Sequence, residues 1–295
     1  MSPSLPPVIA NSRKQIEFAA EHLLGRLRWA LGKRERVKLT QVAPVLGRAI
    51  EQALLSQLAA DEAALADRIE EMRRRAMRSK EPIEHLDFGA GKPKEGLSAD
   101  IMALGRRRDR TVAAMTGASK SPFWAGVLFR LVRNLGSLKG LELGTCLGVS
   151  AAYQAGAMDL NGLGHLFSLE GAPALADISR RHLESLGLAD RVTIVLGRFA
   201  DTLPGVLNEQ GPFDYVFIDG HHDEHATIEY FNQIHPFLAP DAVIVFDDVD
   251  WSKGMKRAWK NLGTDSRIAV AVDLGRLGVC QLGSNTSTRI RLRVV

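Results

Sequence analysis

The chain has 295 residues, 45% of them hydrophobic, a formal net charge of +4 and only two cysteines, Cys146 and Cys280. That content suffices for one large or two small packed domains, and it speaks against a disulfide framework or a thiolate metal site. The opening MSPSLPPVIANSRK has neither the basic start nor the apolar centre of a signal peptide, and no apolar run is long enough to cross a bilayer. A cytoplasmic protein is expected. Residues 1–80 hold 15 Lys/Arg against 9 Asp/Glu, so the remaining chain carries a slight negative balance and is no specific nucleic-acid surface by composition.

Two helical patterns open the chain. Ile16, Ala19, Leu23, Leu27 and Ala30 recur at spacings of three and four, as do Leu46, Ile50, Leu54 and Leu58 and then Leu65, Ile69 and Met72. The second series predicts a long helix with Pro44 near its start. With Leu55 and Ala76 it fits a short heptad seam, either a dimer contact or a helix packed on its own domain. MRRRAMRSK, Met72 to Lys80, reads as a solvated basic helix end or as a weak contact to phosphate or anionic lipid. DFGAGKPKEGLS, Asp87 to Ser98, is rich in helix breakers and is a linker or a lid.

From Gly140 the texture changes to short apolar runs, LELG, HLFSLE, RVTIVLG, FDYVFIDG and AVIVFDD, separated by helical stretches. This predicts an α/β fold, a doubly wound and mostly parallel sheet with an N-terminal helical extension. Each run ends in Gly, Asp or Glu, which marks one common edge as the ligand edge. RIAVAVD and GVCQL flank LGRLG as a terminal hairpin. The boundaries are 1–86 for a helical arm, 87–139 for a linker or lid with leading helices, and 140–295 for a ligand-binding domain.

Gly144 to Gly148 form a turn between a predicted strand and helix, where a ligand can approach the backbone closely. The GxGxxG fingerprint is interrupted, with Cys146 at its second and Val149 at its third glycine position, which argues against a dinucleotide. Glu170, ending the next strand, stands where a carboxylate can accept both ribose hydroxyls of an adenosyl group. The ordered set LELGTCLGVSAAY, LFSLE, RVTIVLGRFADTLP, FDYVFIDGHH and VIVFDD resembles the class I S-adenosylmethionine-dependent methyltransferases, and within them the catechol-type O-methyltransferases and relatives acting on sugars. By that resemblance Glu142, Gly144, Thr145 and Gly148 surround the methionine part of S-adenosylmethionine and Ser150 bonds its carboxylate. Glu170 holds the ribose, and the turn with Gly197, Arg198 and Phe199 borders the adenine.

The resemblance also brings Asp219 together with Asp247 and Asp248, hard oxygen ligands suited to Mg²⁺ or Mn²⁺. Asp219 and Asp247 match the metal-dependent relatives directly, whereas Asp248 stands where the catechol enzymes have Asn. His222 falls at the position of their catalytic Lys, and an imidazole is suited to taking a hydroxyl proton near neutrality. His221 and His225 are read as loop or helix caps, Trp251 as a wall of the substrate pocket and Trp259 as core. The function implied is metal-assisted O-methylation of a small-molecule or glycan hydroxyl, with a homodimer or membrane-surface contact through the basic arm left open. The rivals are a metal-independent methyltransferase in which Asp247 and Asp248 position substrate, a non-catalytic adenosyl-binding scaffold and, last, a nucleotide-dependent oxidoreductase.

Overall fold

The computed structural model describes residues 20, 23, 24, 27, 30–55, 58–89, 99–283 and 288–291. The first helical stripe lies partly outside these; of its described members, Leu23 and Leu27 are 61% and 54% exposed. Three helices follow: α1 (Lys33–Val42), α2 (Pro44–Leu54) and α3 (Ala60–Ala76). The single long helix expected from Pro44 onward is therefore two, since the α-helix stops at Leu54 and resumes at Ala60. Pro44 occupies the first turn of α2, where its missing amide donor costs little. At the new start, the Ala59 amide donates to Glu62 Oε2 at 2.8 Å.

A two-stranded antiparallel ribbon comes next, β1 (Pro82–Asp87) with β2 (Arg106–Thr111), and helix α4 (Ala99–Leu104) precedes its second strand. The Arg-rich run RRRDRT is thus a strand, with Arg107 paired to Glu84 at 2.6 Å across the ribbon. Short α5 (Val112–Met115) leads through the loop holding Lys120 into α6 (Pro122–Leu135).

The remainder alternates strand and helix: β3 (Lys139–Leu143), α7 (Val149–Leu160), β4 (His165–Glu170), α8 (Pro173–Leu186), β5 (Val192–Leu196), α9 (Phe199–Gln210), β6 (Phe213–Ile218), α10 (Glu224–Ile234), β7 (Leu238–Phe246) and α11 (Lys253–Leu262). The strands β8 (Ile268–Asp273), β9 (Gly278–Leu282) and β10 (Thr288–Arg291) close the sheet. Its order is β10-β8-β9-β7-β6-β3-β4-β5, parallel except where β9 runs against β7 and β8, so the expected terminal hairpin is β8–β9. The order reverses between β3 and β6, and at such a reversal the two outgoing connections diverge and leave a crevice at the strands' carboxyl ends.

Alternation across the pleat explains why these runs are apolar throughout. Tyr215, Phe217, Val243 and Val245 face a core shared with α2, α3, α6 and α7, whereas Val216, Ile218, Ile244 and Phe246 face the core under α9, α10 and α11. The α2 and α3 stripes are spent in the first of these cores: Leu46, Ile50, Leu54, Leu65, Ile69 and Met72 are all buried there. Leu65 packs so tightly on α7 that a Cβ at Gly156 would lie 2.5 Å from its Cδ2. Apart from Leu58, which is 44% exposed, this second stripe packs within the chain's own fold, and α2 and α3 share one core with the sheet.

A buried ion pair joins α3 to α6. Glu62, 5% exposed, receives Arg130 through two parallel hydrogen bonds of 2.8 and 2.6 Å, and Arg133 Nε at 3.2 Å. Burial would raise the Glu62 carboxyl, but bonding to Arg130 and to the Ala59 amide outweighs it and holds the group below the usual range. Glu62→Ala leaves the Arg130 guanidinium buried without its bidentate partner, and stability should fall by about 3–5 kcal/mol in urea unfolding. Because the folded pKa is depressed, the wild-type advantage should be complete above the unfolded value near 4.5 and disappear as pH falls through the folded one. An Ala variant as stable as wild type at pH 7 would show that the pair contributes nothing.

Candidate functional site

The site follows the sheet's own ladder one step beyond the strands. Gly197 N donates to Glu170 O at 2.9 Å, Gly144 N to Leu169 O at 3.0 Å, Asp219 N to Leu143 O at 2.9 Å and Asp247 N to Ile218 O at 3.0 Å. The first residues after β5, β3, β6 and β7, with Glu170 ending β4, are thereby lined up along one edge. Gly144 lies at the reversal with φ +104°, and a Cβ there would stand 2.2 Å from the Asp219 carbonyl oxygen. Only glycine allows the β3 and β6 connections to come this close.

Beside that edge opens a cavity of about 810 Å³, within the range of pockets that take drug-sized ligands. Gly144, Cys146, Glu170 and Gly171 form one side and Asp219, Gly220, His221 and His222 another. Residues 85–89 of the β1 ribbon and its exit also face it, which places Asp87, Phe88 and Gly89 of the sequence-read lid on its wall; residues 90–98 lie outside the described set.

On the glycine-turn side, Glu170 is 8% exposed and accepts the amides of Cys146 at 2.7 Å and Ala172 at 2.9 Å. Burial raises its pKa, and the amide bonds oppose this by favouring the carboxylate. A carboxylate has about four acceptor positions, so beside these amides and that of Gly171 it can still receive a hydroxyl. Glu142 is fully buried and does not line the cavity; it accepts from Gln154 Nε2 at 2.8 Å and from Ser168, which also contacts Thr145 Oγ1. Thr145, 1% exposed, and Ser150, 6% exposed and bonded to Glu142, belong to the same network beneath the turn. Gly148 caps α7 with φ +78°. The Cys146 thiol is pushed up to about 12 by burial and the Glu170 charge, which removes it as a nucleophile at neutral pH.

At the adenine border expected from sequence, Gly197 has φ +144° and Arg198 pairs with Asp201 at 2.6 Å, while Phe199 enters the cavity wall. Phe199 meets His221 edge-on at 5.6 Å, and His221 stacks on Tyr230 with its Nδ1 hydrogen-bonded to the Tyr230 hydroxyl at 2.5 Å. His221, expected to be a cap, is therefore part of an aromatic wall. His225 is exposed; Trp251 stands 5.9 Å from the His222 ring, and Trp259 is buried core.

The acid cluster contains a residue that sequence reasoning missed. Lys120, 7% exposed, places Nζ 3.3 Å from Asp219 Oδ2 and in direct ion pairing with Asp247 Oδ2. Its backbone is fixed from behind by the buried Arg73, whose Nη1 donates to the Lys120 carbonyl. Burial disfavours the Lys120 charge, but Asp219, Asp247 and Asp248 more than compensate and raise its pKa. Burial also pushes the Asp219 and Asp247 carboxyls up, Asp247 the further because of the Asp219 charge, with Lys120 opposing both.

His222 Nε2 is 3.5 Å from the other Asp219 oxygen and 4.0 Å from Asp248 Oδ2. Burial depresses its pKa in spite of Asp248 and Asp247, so the ring is neutral at pH 7. Asp248 is drawn aside by Arg276, at 2.9 Å; burial would raise it, yet Lys120, His222 and Arg276 together hold it below the usual range. Cys146, His221, His222 and Asp248 all have φ between +49° and +60°, four of the five non-glycine residues in that region among those described. Such backbone costs about 1–3 kcal/mol each and concentrates at working sites.

Asp219, His222 and Asp247 can each offer a ligand atom, all within 4.8 Å of one another, so the donor types are those a divalent ion takes. The Lys120 ammonium already takes one oxygen from each of the two aspartates, and a dication beside it would meet like charge. With Lys120 in this position the residues do not fit the metal, and Asp248, paired to Arg276, is not one of the set. The adenosyl side, by contrast, fits its group: a buried carboxylate with spare acceptor capacity borders a cavity of sufficient size.

Comparison with known proteins agrees with this geometry. A family model described as a methyltransferase domain matches residues 141–249. A catechol O-methyltransferase of Niastella koreensis is 36% identical over 139 residues, 46% of this chain and 61% of that protein. One from Mycobacterium tuberculosis is 38% identical over 109 residues, 37% and 47% of the two chains. This chain thus spans about half to three fifths of the length of these relatives. The SAH-bound methyltransferase of Podospora anserina superposes with a TM-score of 0.50 over 57% of this chain and 81% of that one, at 20% identity, a likeness of fold. Among the described residues no helix is long and apolar enough to cross a membrane. The sheet order and the glycine turn agree with the family match, and residues 141–249 are those of a methyltransferase domain.

Proposed function

We propose that this protein transfers a methyl group from S-adenosylmethionine to a hydroxyl oxygen of a small-molecule or glycan acceptor. The observation that carries the reading is one cavity bordered on one side by the Gly144 turn and Glu170 and on the other by Asp219 and His222. The catechol O-methyltransferase relatives support oxygen as the acceptor atom. When bound, S-adenosylmethionine supplies an electrophilic methyl on a sulfonium that leaves as a neutral thioether.

The chain's own part is to orient, to shield and to move one proton. Glu170 would fix the ribose, with Phe199, His221 and Tyr230 as an aromatic wall alongside. His222, neutral at pH 7, takes the hydroxyl proton at Nε2, and the resulting imidazolium is stabilised by Asp219 and Asp248. Alignment of the two reactants in one cavity supplies much of the rate, since a positioned bimolecular step can gain about 7–11 kcal/mol. Metal assistance through Asp219 and Asp247 is the second reading, favoured by the compact donor set, and it requires Lys120 to withdraw.

Calorimetric titration with S-adenosylhomocysteine tests the cradle. Glu170→Ala should weaken binding by about 10- to 150-fold, the loss of a hydrogen-bonding charged group worth ~1.5–3 kcal/mol. No binding by folded wild type would end the methyltransferase reading. On any acceptor found in a panel of catechols, phenols and sugars, the rate should fall on the acid side at a pH below 6.5, because His222 must lose its proton and burial lowers its pKa. His222→Gln should abolish that limb and cost about 10²–10⁴ in rate. An unchanged limb would place the base elsewhere.

A further inference from the structure

We propose that Lys120 is the resident cation of this site: its ammonium holds the place between Asp219 and Asp247 that a divalent ion would need, so that the chemistry runs without metal. The inference rests on the methyltransferase reading for its chemical meaning, but its structural content stands on the ion triad alone. A lysine side chain is tethered, so it competes for the two carboxylates at high effective concentration and cannot be diluted away. Lys120 is also placed from both ends. Arg73 of α3 fixes its carbonyl, and Pro122 starts α6 two residues later.

Two consequences follow from elementary chemistry. The Asp219 and Asp247 side chains are 14% and 0% exposed, and burial at that depth needs a compensating positive charge, which Lys120 supplies from within the fold. His222 is the third member of the only donor set close enough for a metal among the described residues. A neutral imidazole has one lone pair; given to a metal, it could not accept a proton. With Lys120 as the cation, that pair stays free. The step then balances without an ion. The acceptor O–H bond gives its proton to His222, the oxygen pair forms the new C–O bond, and the donor's C–S pair stays on sulfur. The ammonium uses two of its three N–H donors on the aspartates and has no third protein acceptor among the described residues, which leaves one for an acceptor oxygen.

The test uses Mn²⁺ alone, read by the loss of the free-ion electron paramagnetic resonance signal on the full chain, with S-adenosylhomocysteine calorimetry run in parallel. Wild type should show no saturable Mn²⁺ site at millimolar concentration, and Lys120→Met should bind one ion at least tenfold more tightly, an effect lost in Lys120→Met/Asp247→Asn. One Mn²⁺ bound by wild type and removed by Asp247→Asn would overturn the proposal, as would a well-folded Lys120→Met with no gain. If Lys120→Met does not fold, the wild-type titration still decides, and Lys120→Arg, which keeps the charge, should fold and continue to reject the ion. Failure to bind S-adenosylhomocysteine with Mn²⁺ still rejected would remove the methyltransferase reading while leaving Lys120 as the site's cation.

Discussion

The structure depends on placing carboxylates at the buried ends of β6 and β7 without leaving their charge uncompensated. Asp247 is 1% exposed, and a lone anion at that depth would cost several kcal/mol. Lys120 answers this, but it comes from a loop outside the sheet, nearly 130 residues earlier in the chain. The loop is held in turn by Arg73, and α3 is held to α6 by Glu62 and Arg130. The N-terminal helices are therefore the scaffold that delivers a charge to the sheet edge. The α2 and α3 stripes fill the same core as the sheet, so the α3 residue that holds the lysine loop is itself fixed against the sheet.

How much of this was legible in the sequence varied with the type of signal. Strands β3 to β7 were visible because burial on both faces forces continuous apolar runs, and parallel strands that feed one edge end in Gly, Asp or Glu. The glycine turn was visible because Gly144 has a steric reason to be glycine. The break between α2 and α3 was hidden because Leu54, Leu58 and Leu65 keep helical spacing through it. The β1–β2 ribbon was hidden because RRRDRT carries no apolar alternation; its strand is held by a partner whose side chains neutralise it. Lys120 was beyond reach for another reason. A single lysine in GASKSP has no periodicity, and its role exists only through contacts distant in sequence.

The site residues named from sequence divide along the same line. Glu170, Phe199, Asp219 and His222 border the cavity, as positions fixed by strand ends should. Glu142, Thr145 and Ser150 instead form a closed hydrogen-bond network under the turn. A strand end points one residue to the cleft and its neighbour into the packing, so motif spacing identifies the edge more readily than which side chain faces the ligand. His221 and Tyr230 show the converse, a wall assembled from a loop and a helix face that no short motif marks.

The backbone of the Gly220 to His222 loop links these points. Two consecutive residues with φ of +60° and +49° would cost a free loop about 2–6 kcal/mol in total, and histidine tolerates this region better than branched residues. The His221 ring, stacked on Tyr230 and hydrogen-bonded to its hydroxyl, supplies part of the offset. The tight turn then brings His222 back over Asp219, whose nearer oxygen it meets while Lys120 takes the other. A relaxed loop would let the imidazole swing away from the carboxylate, and the base would lose its orientation along with the stabilisation of its charged form. The aromatic wall and the proton acceptor are thus two outcomes of one strained turn, and the turn is held in place by the ring that lines the cavity.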